Sequence, residues 1–339
     1  MMRICLVPKL DGVGGMVSFQ AKFAQGLLER GYEVCFDLAD WPYTAVLVIG
    51  GTRDLRGLSQ ARQRGIPVVQ RLNGMNWIHR KRRTGLRHYL RAEYGNWLLS
   101  LVRGRLATGI IYQSRFAHNW WERVYGATKS PFRVVYNGVD LSQYSPRGDQ
   151  ERPVDCNRIL LVEGSLGGGY EMGLDTAVQL AERLINSYSQ RVEVMVVGRV
   201  SEALKTAWAE HTKVPLVFTG LVPREKIPFL DRSAHLLYAA DIHAACPNST
   251  VEALACGLPV VSFDTGALPE LVIGDAGRVV HYGGDAWQLD PPNLDGLARA
   301  AAEVLAEQPR FRAAARARAE EALGLDRMVD AYLAALLGT

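Results

Sequence analysis

The sequence predicts an α/β protein with two doubly wound domains, each built on a parallel β-sheet. Short apolar runs rich in β-branched residues alternate with amphipathic helical stretches over most of the 339 residues. This alternation is typical of parallel sheets that helices cover on both faces. A polar stretch at 139–155 interrupts the alternation, which then resumes. Two such domains leave a cleft where the carboxyl ends of both sheets face each other, and ligands bind there.

Strands and helices follow one another regularly in both halves. In the first half, strands are predicted at 3–7, 32–38, 45–51, 66–72, 107–114 and 133–138, with helices at 16–31, 55–65 and 116–126. In the second half, strands are predicted at 158–164, 191–198, 215–220, 234–240 and 258–263, with helices at 173–184, 201–211, 224–233, 249–257 and 309–337. Trp97, Trp120 and Trp121 lie in helical stretches and are assigned to the core.

Composition limits the class of protein. The chain is 48% hydrophobic and 22% charged, as in ordinary globular proteins, and its net charge of +4 is too small to indicate a nucleic-acid partner. The five cysteines have no C-x-x-C spacing, so we expect buried free thiols and no metal site. The N-terminal apolar run is too short for a signal peptide, and no stretch approaches the roughly 20 apolar residues of a membrane span. We therefore expect a cytoplasmic protein.

The first glycine-rich turn follows the first predicted strand. Gly12, Gly14 and Gly15 let the backbone approach a ligand closely, and Asp37 lies near the end of the next strand. A dinucleotide fingerprint needs a glycine where the chain has Val17, so a plain turn before a helix stays an alternative.

The second glycine-rich turn spans 163–173. It contains Gly164 and three glycines at 167–169, with Glu163 and Glu171 but no lysine or arginine. A phosphate bound there would therefore depend on backbone N–H groups.

The segment PNSTVEALACGLPVV, at 247–261, places a helix N-terminus directly before a strand. Ser249 or Thr250 is predicted to cap this helix and to leave free N–H groups and the positive end of the dipole for an anion. Glu252 would be repelled by a diphosphate but suits ribose hydroxyls, because a carboxylate accepts two charge-assisted hydrogen bonds. The simpler alternative is an acid that complements the helix dipole.

Several segments resemble one known family. The stretch CPNSTVEALACGLPVVSFDTGALPELV, at 246–272, resembles the donor-site signature of the family-4, group 1 retaining glycosyltransferases. The segments 14–34, 134–146 and 214–240 resemble the family's first loop and helix, its N-G-V-D stretch and the middle of its second domain. The matches run along the whole chain, and the Pro-Asn-x-x-x-Glu-Ala core is the most specific of them.

The resemblance implies a GT-B fold, with two Rossmann-like domains that face each other across a cleft. It implies an acceptor-binding domain over 1–150, a nucleotide-sugar-binding domain over 151–323 and a last helix, 324–339, that crosses back to the first domain. It implies sugar transfer with retention, by same-face attack that the leaving phosphate assists, without a metal or other cofactor; the donor would be a UDP- or GDP-sugar. The predicted donor-binding residues are Gly14, Gly15, Gly164, Ser165, Arg199, Asn248, Ser249, Thr250 and Glu252.

Two of the family's reacting residues are replaced here. The acid that contacts the sugar hydroxyls, eight residues before the ribose glutamate, is Ala244, with Asp241 and His243 nearby but out of register. The first-domain histidine falls at about Asn73, with His79 six residues on. Asn73 and His79 are the predicted catalytic residues. Each replacement weakens the stabilisation of charge in the transition state.

The cations that clamp the diphosphate are replaced as well. The family's Arg and Lys fall at Ser165 and Met172. Arg199, with Lys205 behind it, is the nearest substitute, and a solvated arginine at a strand end is the alternative.

A basic stretch at 79–94 lies in the half where the family binds acceptors. Arg80, Lys81, Arg82 and Arg83 precede a helix that carries further arginines and aromatic residues. One interpretation is an anionic or lipid-linked acceptor, or peripheral contact with the inner face of an anionic membrane. The other is the solvated face of a mobile loop.

Three hypotheses are open at this point. The first is a metal-independent retaining glycosyltransferase of polysaccharide, glycolipid or glycoconjugate biosynthesis. The second is a sugar-nucleotide-binding protein with weak or no transferase activity, which Ala244, Ser165 and Met172 favour. The third is a nucleotide-cofactor oxidoreductase, which depends on the 12–15 turn and Asp37.

Overall fold

A computed structural model describes residues 2–12, 14–83, 85–166 and 171–338. The chain divides into two units, Met1–Gly138 with Gly324–Thr339, and Val139–Leu323. Each unit has one six-stranded sheet, and all the strand pairs within it are parallel. The predicted fold class, two doubly wound parallel-sheet domains, is therefore confirmed.

The sheet of the first unit has the strand order β2-β1-β3-β4-β5-β6. Its strands are β1 (Arg3–Val7), β2 (Glu33–Cys35), β3 (Ala45–Ile49), β4 (Val68–Leu72), β5 (Gly109–Tyr112) and β6 (Phe132–Val134). Its helices are α1 (Gly15–Glu29), α2 (Leu55–Gln63), α3 (Leu86–Leu101), α4 (Arg115–Tyr125) and the last helix of the chain, α12 (Leu325–Leu337).

The apolar central strands account for this unit's core. All five residues of β3 and all five of β4 are buried, as expected for strands that helices cover on both faces. Helix α12 packs on α1 through aromatic rings, with Tyr332 at centroid distances of 5.1 Å from Phe19 and 5.2 Å from Phe23. The chain's last helix therefore belongs to the first unit's core.

The sheet of the second unit has the order β12-β11-β10-β7-β8-β9. Its strands are β7 (Asn157–Leu166), β8 (Val192–Val200), β9 (Leu216–Gly220), β10 (Leu236–Ala239), β11 (Val260–Phe263) and β12 (Gly277–Val280). Its helices are α5 (Met172–Tyr188), α6 (Glu202–His211), α7 (Ile227–Arg232), α8 (Asn248–Ala255), α9 (Leu268–Leu271), α10 (Leu294–Ala306) and α11 (Gln308–Ala322).

The strand order fixes where a ligand would bind in each unit. In the second unit, the chain proceeds outward from β7 through β8 to β9, and then from β10 through β11 to β12. The switch in direction lies between β7 and β10, and ligands of doubly wound sheets bind outside the carboxyl ends of the strands at such a switch. The first unit has its own switch between β1 and β3, beside the turn that contains Gly14.

The tryptophan assignments have mixed outcomes. Trp120 and Trp121 are buried, which confirms their assignment to the core. Trp97 is 52% exposed, so its assignment to the core is wrong. It lies on α3, whose buried residues are few, because only one narrow side of this helix packs against the unit. Residues 86–94 of the basic stretch are helical, as expected for the part that follows Arg80–Arg83.

The remaining expectations concern thiols and membrane spans. The five cysteines are free, and four are buried, Cys156 being partly exposed, which largely confirms the expected buried free thiols. In the described part of the chain, no helix is both long enough and apolar enough to cross a bilayer.

Candidate functional site

Helix α8 begins at the carboxyl edge of the second sheet, after the loop that follows β10. Its N-cap residue is Pro247, and no side chain of the described residues caps the helix. The expectation that Ser249 or Thr250 caps it is therefore wrong. Pro247 has an extended backbone and its fixed φ suits a helix start, so a side-chain cap is not needed to begin the helix. Ser249 is partly exposed and Thr250 is buried. The N-terminus of a helix suits an anion, because its first N–H groups have no partner within the helix.

Glu252 lies one turn into α8 and is only 8% exposed. Burial raises the pKa of its carboxyl to about 7, against the opposing effects of the Arg224 charge and a hydrogen bond with the Tyr144 side chain. Tyr144 is itself fully buried. Glu252 is therefore a buried acid with a raised pKa at a helix N-terminus, which makes it a candidate for a functional site.

A second acid lies close to Glu252. Asp231, in the last turn of α7, is 1% exposed, and its Oδ2 has no hydrogen-bond partner among the described residues. Burial and the charge of Glu252 raise the pKa of Asp231 well above its usual range, although a hydrogen bond with the Cys256 side chain opposes the shift. The pair of acids cannot both ionise cheaply, because like charges repel strongly in a buried environment.

The ends of β7 and β8 bring two predicted donor residues together. Ser165 and Arg199 are register partners on these strands, and both are exposed. Gly164, just before Ser165, is also exposed. Arg199, the expected substitute cation, therefore lies directly beside Ser165, where the family has a cation. Lys205 does not share this position: its amine pairs with Glu202 at 2.7 Å.

The turn around Gly164 departs from regular pairing. The register shifts between Val162 and Ser165, and Gly198 of β8 has a φ of +137°. A Cβ at Gly198 would lie 1.8 Å from the Glu163 carbonyl oxygen, so only glycine fits there. Burial and the charge of the nearby Asp241 raise the pKa of the Glu163 carboxyl. Gly167, Gly168 and Gly169 lie outside the described residues.

Ala244, where the family has an acid, is buried, and its backbone is hydrogen-bonded within the second unit. Ala244 is 8% exposed, and its carbonyl accepts a hydrogen bond of 2.9 Å from the N–H of Ala267. His243, with a φ of +64°, stacks on Trp287 at a ring distance of 3.5 Å. Asp241 is exposed. An acid is therefore present near position 244, but it projects from a different place in the loop.

In the first unit, Gly14 and Gly15 form the start of α1. Gly14 has a φ of +142°, a conformation that favours glycine, and a Cβ there would meet no atom within 4 Å. The α1 N-terminus is thus open and unobstructed, but the described residues give it no side-chain cap.

Asn73, just after β4, is held in place by three hydrogen bonds. Its Oδ1 accepts hydrogen bonds from Arg71 Nη1 at 2.8 Å and from Gln113 Nε2 at 2.6 Å, and its carbonyl accepts one from Trp121 Nε1 at 2.7 Å. Arg71 is buried, and its Nη2 donates to Asn137 Oδ1 at 2.8 Å. Because Oδ1 is occupied by donors, the amide nitrogen of Asn73 is the group left to donate to a ligand.

His79 and the basic residues after it lie elsewhere in that unit. His79 is buried in a 3-10 turn, Ile78–Arg80, and its Nε2 is 2.7 Å from Glu93 Oε1. Arg80 binds both oxygens of the same carboxylate, at 2.6 and 2.8 Å. This pairing lowers the pKa of Glu93 to about 2. Lys81 and Arg83 are exposed and Arg82 is partly exposed.

Sequence reasoning missed the residues that hold these sites in place. Arg71 and Gln113 orient Asn73, while Tyr144, Arg224 and Asp231 surround Glu252. One signal was available for Arg71: the polar Gln70 and Arg71 interrupt the otherwise apolar strand VVQRL, where a buried strand should have no polar residue without a role. Tyr144, Arg224 and Asp231 carry no such signal, because each is an ordinary residue in a loop or helix.

Comparison with known proteins follows the same division of the chain. Residues 157–307 match a family model described as glycosyl transferases group 1, and residues 50–143 match one described as glycosyltransferase family 4. Within the described residues, no cluster of three or more His, Cys, Asp or Glu side chains is arranged to hold a metal ion.

Individual relatives agree with the family models. A GDP-mannose-dependent alpha-(1-6)-phosphatidylinositol dimannoside mannosyltransferase of Mycobacterium tuberculosis is 29% identical over 50% of this chain and 44% of its own length. The chain spans about half the length of the curated relatives that it matches.

Two solved structures share the fold over all of both chains. Sucrose-phosphate synthase from Thermosynechococcus elongatus has a TM-score of 0.76 at 15% identity. HepE from Anabaena, solved with UDP and glucose, has a TM-score of 0.67 at 16% identity.

Proposed function

Because the chain belongs to the group 1, family 4 glycosyltransferases, we propose that it transfers a sugar from a nucleotide-sugar donor to an acceptor with retention of configuration. The diphosphate lies at the first turn of α8 and the ribose at Glu252. The donor is a UDP- or GDP-sugar, since one relative is GDP-mannose-dependent and one structural neighbour binds UDP. The oxidoreductase hypothesis does not fit this family, and we abandon it.

The observation that carries the proposal is the environment of Glu252. Its carboxylate is buried beside an uncapped helix start, with Tyr144 and Arg224 compensating it only in part. A ribose would supply two hydroxyl donors to this carboxylate, while the diphosphate would take the N–H groups of the first turn. The ribose, a hydrogen-bond donor, thus matches the acceptor Glu252, and the diphosphate, an acceptor, matches the N–H donors of the same helix.

The transfer step then needs no cofactor. The acceptor oxygen bonds to the anomeric carbon on the face that the leaving group occupied, the bond from that carbon to the phosphate oxygen breaks, and the acceptor's proton passes to the leaving phosphate. Amide N–H groups of α8 and the exposed Arg199 stabilise the negative charge that grows on the diphosphate. We propose Asn73 of the first unit as a catalytic residue, with its oriented amide nitrogen as the hydrogen-bond donor.

The basic stretch and the free thiols bear on the acceptor and on the cellular location that we propose. The basic stretch around Lys81 and Arg83 favours an anionic or lipid-linked acceptor, in the synthesis of a polysaccharide, glycolipid or glycoconjugate. Free thiols agree with a cytoplasmic location, at the inner face of a membrane if the acceptor is a lipid.

A second candidate function is donor binding with weak or no transfer. It is favoured by the absence of an acid side chain at the buried Ala244 and by Ser165 in place of a cation. Loss of charge stabilisation of this kind reduces turnover more than it reduces binding.

The test uses calorimetry and turnover on the same samples. We expect a UDP- or GDP-sugar to bind and a nucleoside diphosphate to be released when a lipid-linked acceptor extract is added. Glu252→Ala should weaken donor binding and product release strongly, whereas Glu320→Ala, on the exposed side of α11, should change neither. Binding without release over the whole donor panel would establish the second candidate, and no binding at all would overturn both.

A further inference from the structure

We propose that the exposed side of α3 docks the protein on an anionic lipid surface. We call this patch the α3 face, and it comprises Leu86, Leu90, Tyr94, Trp97, Arg83, Arg87 and Arg91. It lies wholly on the first unit and does not include Asn73 or His79. The inference therefore goes beyond the proposed transfer reaction and can be tested without it.

Large apolar side chains form a continuous row along this face. Leu86 is 75% exposed and Leu90 59% exposed, and Tyr94 follows after another four residues. Residues four apart are neighbours on a helix surface, so these three lie one above the other. Trp97 extends the row, with its ring 5.8 Å from that of Tyr94. Single exposed apolar residues are ordinary, but a row of this length on one helix marks a contact surface.

The charges beside this row are of one sign. Arg83, Arg87 and Arg91 are exposed, and the last two are a helical turn apart, next to the leucines. Glu93 is the single acid in the sequence from 79 to 101. Its two oxygens are bound by Arg80, and one also lies at 2.7 Å from His79. The arginines of the α3 face therefore present an uncompensated positive charge.

The helix is already fixed in place before any partner binds. The Asn96 side chain accepts a hydrogen bond of 3.0 Å from the N–H of Asn76 and donates one of 2.8 Å to its carbonyl. Ala92, Asn96 and Leu98 are the buried residues of this helix. A rigid helix needs little ordering on binding, so that its exposed leucines and arginines are available at once.

The chemistry of the face favours a lipid surface over a protein. Leucine, tryptophan and tyrosine beside arginine are the composition of helices that lie in the membrane interface, with apolar side chains among the acyl chains and arginines at the phosphates. A second copy of the chain fits poorly, since a symmetric contact would place arginines against arginines. Anionic headgroups match both features at once.

The experiment is cosedimentation of the full chain with lipid vesicles. We expect binding to vesicles of phosphatidylglycerol and phosphatidylcholine in equal parts, and little binding to pure phosphatidylcholine. Binding should weaken as salt is raised, because salt screens the arginines. R83Q/R87Q/R91Q should weaken binding on the order of 100-fold, as about fivefold per arginine. L86Q/L90Q should also reduce it strongly.

Matched controls separate the face from general charge and apolarity. R53Q/R56Q/R133Q removes three exposed arginines from the same unit, and L28Q replaces an exposed leucine of α1; both should bind vesicles like the parent. Lipids brominated on their acyl chains should quench the fluorescence of the parent, and less so in W97F. Circular dichroism would verify that all variants are folded.

Three results would overturn the inference. The first is equal binding of R83Q/R87Q/R91Q and its control. The second is equal binding to neutral and anionic vesicles. The third is a dimer in sedimentation that L86Q/L90Q dissociates, which would assign the face to a second copy. If the parent protein bound anionic vesicles but showed no transferase activity, that result would contradict the proposed function but not this inference.

Discussion

Glu93 of the first unit and Glu252 of the second are both acids, but their environments shift the pKa in opposite directions. Glu93 is bound by Arg80 and His79, and these partners lower its pKa to about 2. Glu252 is buried with only partial compensation, and burial raises its pKa to about 7. Charged partners stabilise the ionised form of Glu93, whereas burial destabilises the ionised form of Glu252.

The direction of the pKa shift distinguishes an acid with a structural role from an acid with a functional role better than burial or polarity alone. An acid paired at close range with an arginine holds a turn in place, and its negative charge is already compensated. A buried acid that keeps a raised pKa costs stability, and such a cost persists where it serves binding or chemistry. The predictions below test whether Glu252 is such a residue and Glu93 is not.

The largest expected effect is on donor affinity. Glu252→Ala removes two charge-assisted hydrogen bonds to the ribose, and we expect the Kd of the donor to rise about 100-fold, which corresponds to ~3 kcal/mol. Isothermal calorimetry at pH 8 measures this effect, because Glu252 is ionised there. Glu93→Ala should leave the donor Kd within about twofold. Equal losses in the two variants would abolish the distinction between the two acids.

The next effect is on stability and its pH dependence. The folded pKa of Glu252 lies above its ordinary value of 4.5, so the folded state holds the proton more tightly and loses stability as pH rises from 4.5 through about 7. Above pH 7 the loss approaches ~3 kcal/mol. Glu252→Gln removes it, so the unfolding midpoint at pH 8 should rise by roughly 5 °C. Near pH 4.5 the variant and the parent should coincide in scanning calorimetry.

Glu93 should behave in the opposite way. Its folded pKa is depressed, so its contribution to stability is present above pH 4.5 and is lost as pH falls through about 2. Because its side chain is 30% exposed, solvent screens the pair and we expect ~1 kcal/mol for Glu93→Gln at pH 7. A midpoint that rises in this variant, as in Glu252→Gln, would show that the two acids are equivalent.

The fold was predictable because its signals are local and repeated. Strand β3 is buried over its whole length, and its continuous apolar run AVLVI shows this directly. Trp97 was assigned wrongly because a tryptophan in a helix is usually buried. Its exposure depends on which side of α3 packs against the unit, a tertiary fact that helical spacing does not determine.

For the candidate site, the sequence indicates only residues that would touch a ligand, and their roles stay predictions. Glu252 follows from its position in the first turns of a helix after a strand. Its neighbours Tyr144 and Asp231 come from separate elements, which the fold alone brings together. The helix cap was wrong for a local reason: the sequence offers Ser249 and Thr250, but the helix begins at Asn248, directly after Pro247, and both lie inside it.

A smaller effect is expected for Asn73, on turnover. Asn73→Asp keeps Oδ1 as an acceptor for Arg71 and Gln113 but replaces the amide nitrogen with an oxygen. We expect kcat to fall roughly 30-fold, about 2 kcal/mol, with the donor Kd unchanged, because only the transition-state hydrogen bond is lost. Steady-state kinetics with calorimetry separates the two quantities. Parent-like kcat would show that the amide nitrogen has no role and that Asn73 is structural.

The smallest effect should come from Arg199. This residue lies beside Ser165 at the strand ends but is exposed, so water already screens its charge. Arg199→Gln should raise the donor KM about threefold, or ~0.7 kcal/mol, and the difference should fade at high salt.

The matched control for Arg199 is Arg191→Gln, which removes an exposed arginine just before the start of the same strand, β8. A salt-dependent change in KM that is confined to Arg199→Gln would show that charge at this edge of the sheet takes part in holding the diphosphate. Equal KM values in both variants would show that the charge of Arg199 takes no part, which would leave backbone N–H groups to hold the diphosphate. In that case the second unit would bind its anion by backbone, and Glu252 would stand as the site's one ionic contribution to donor recognition.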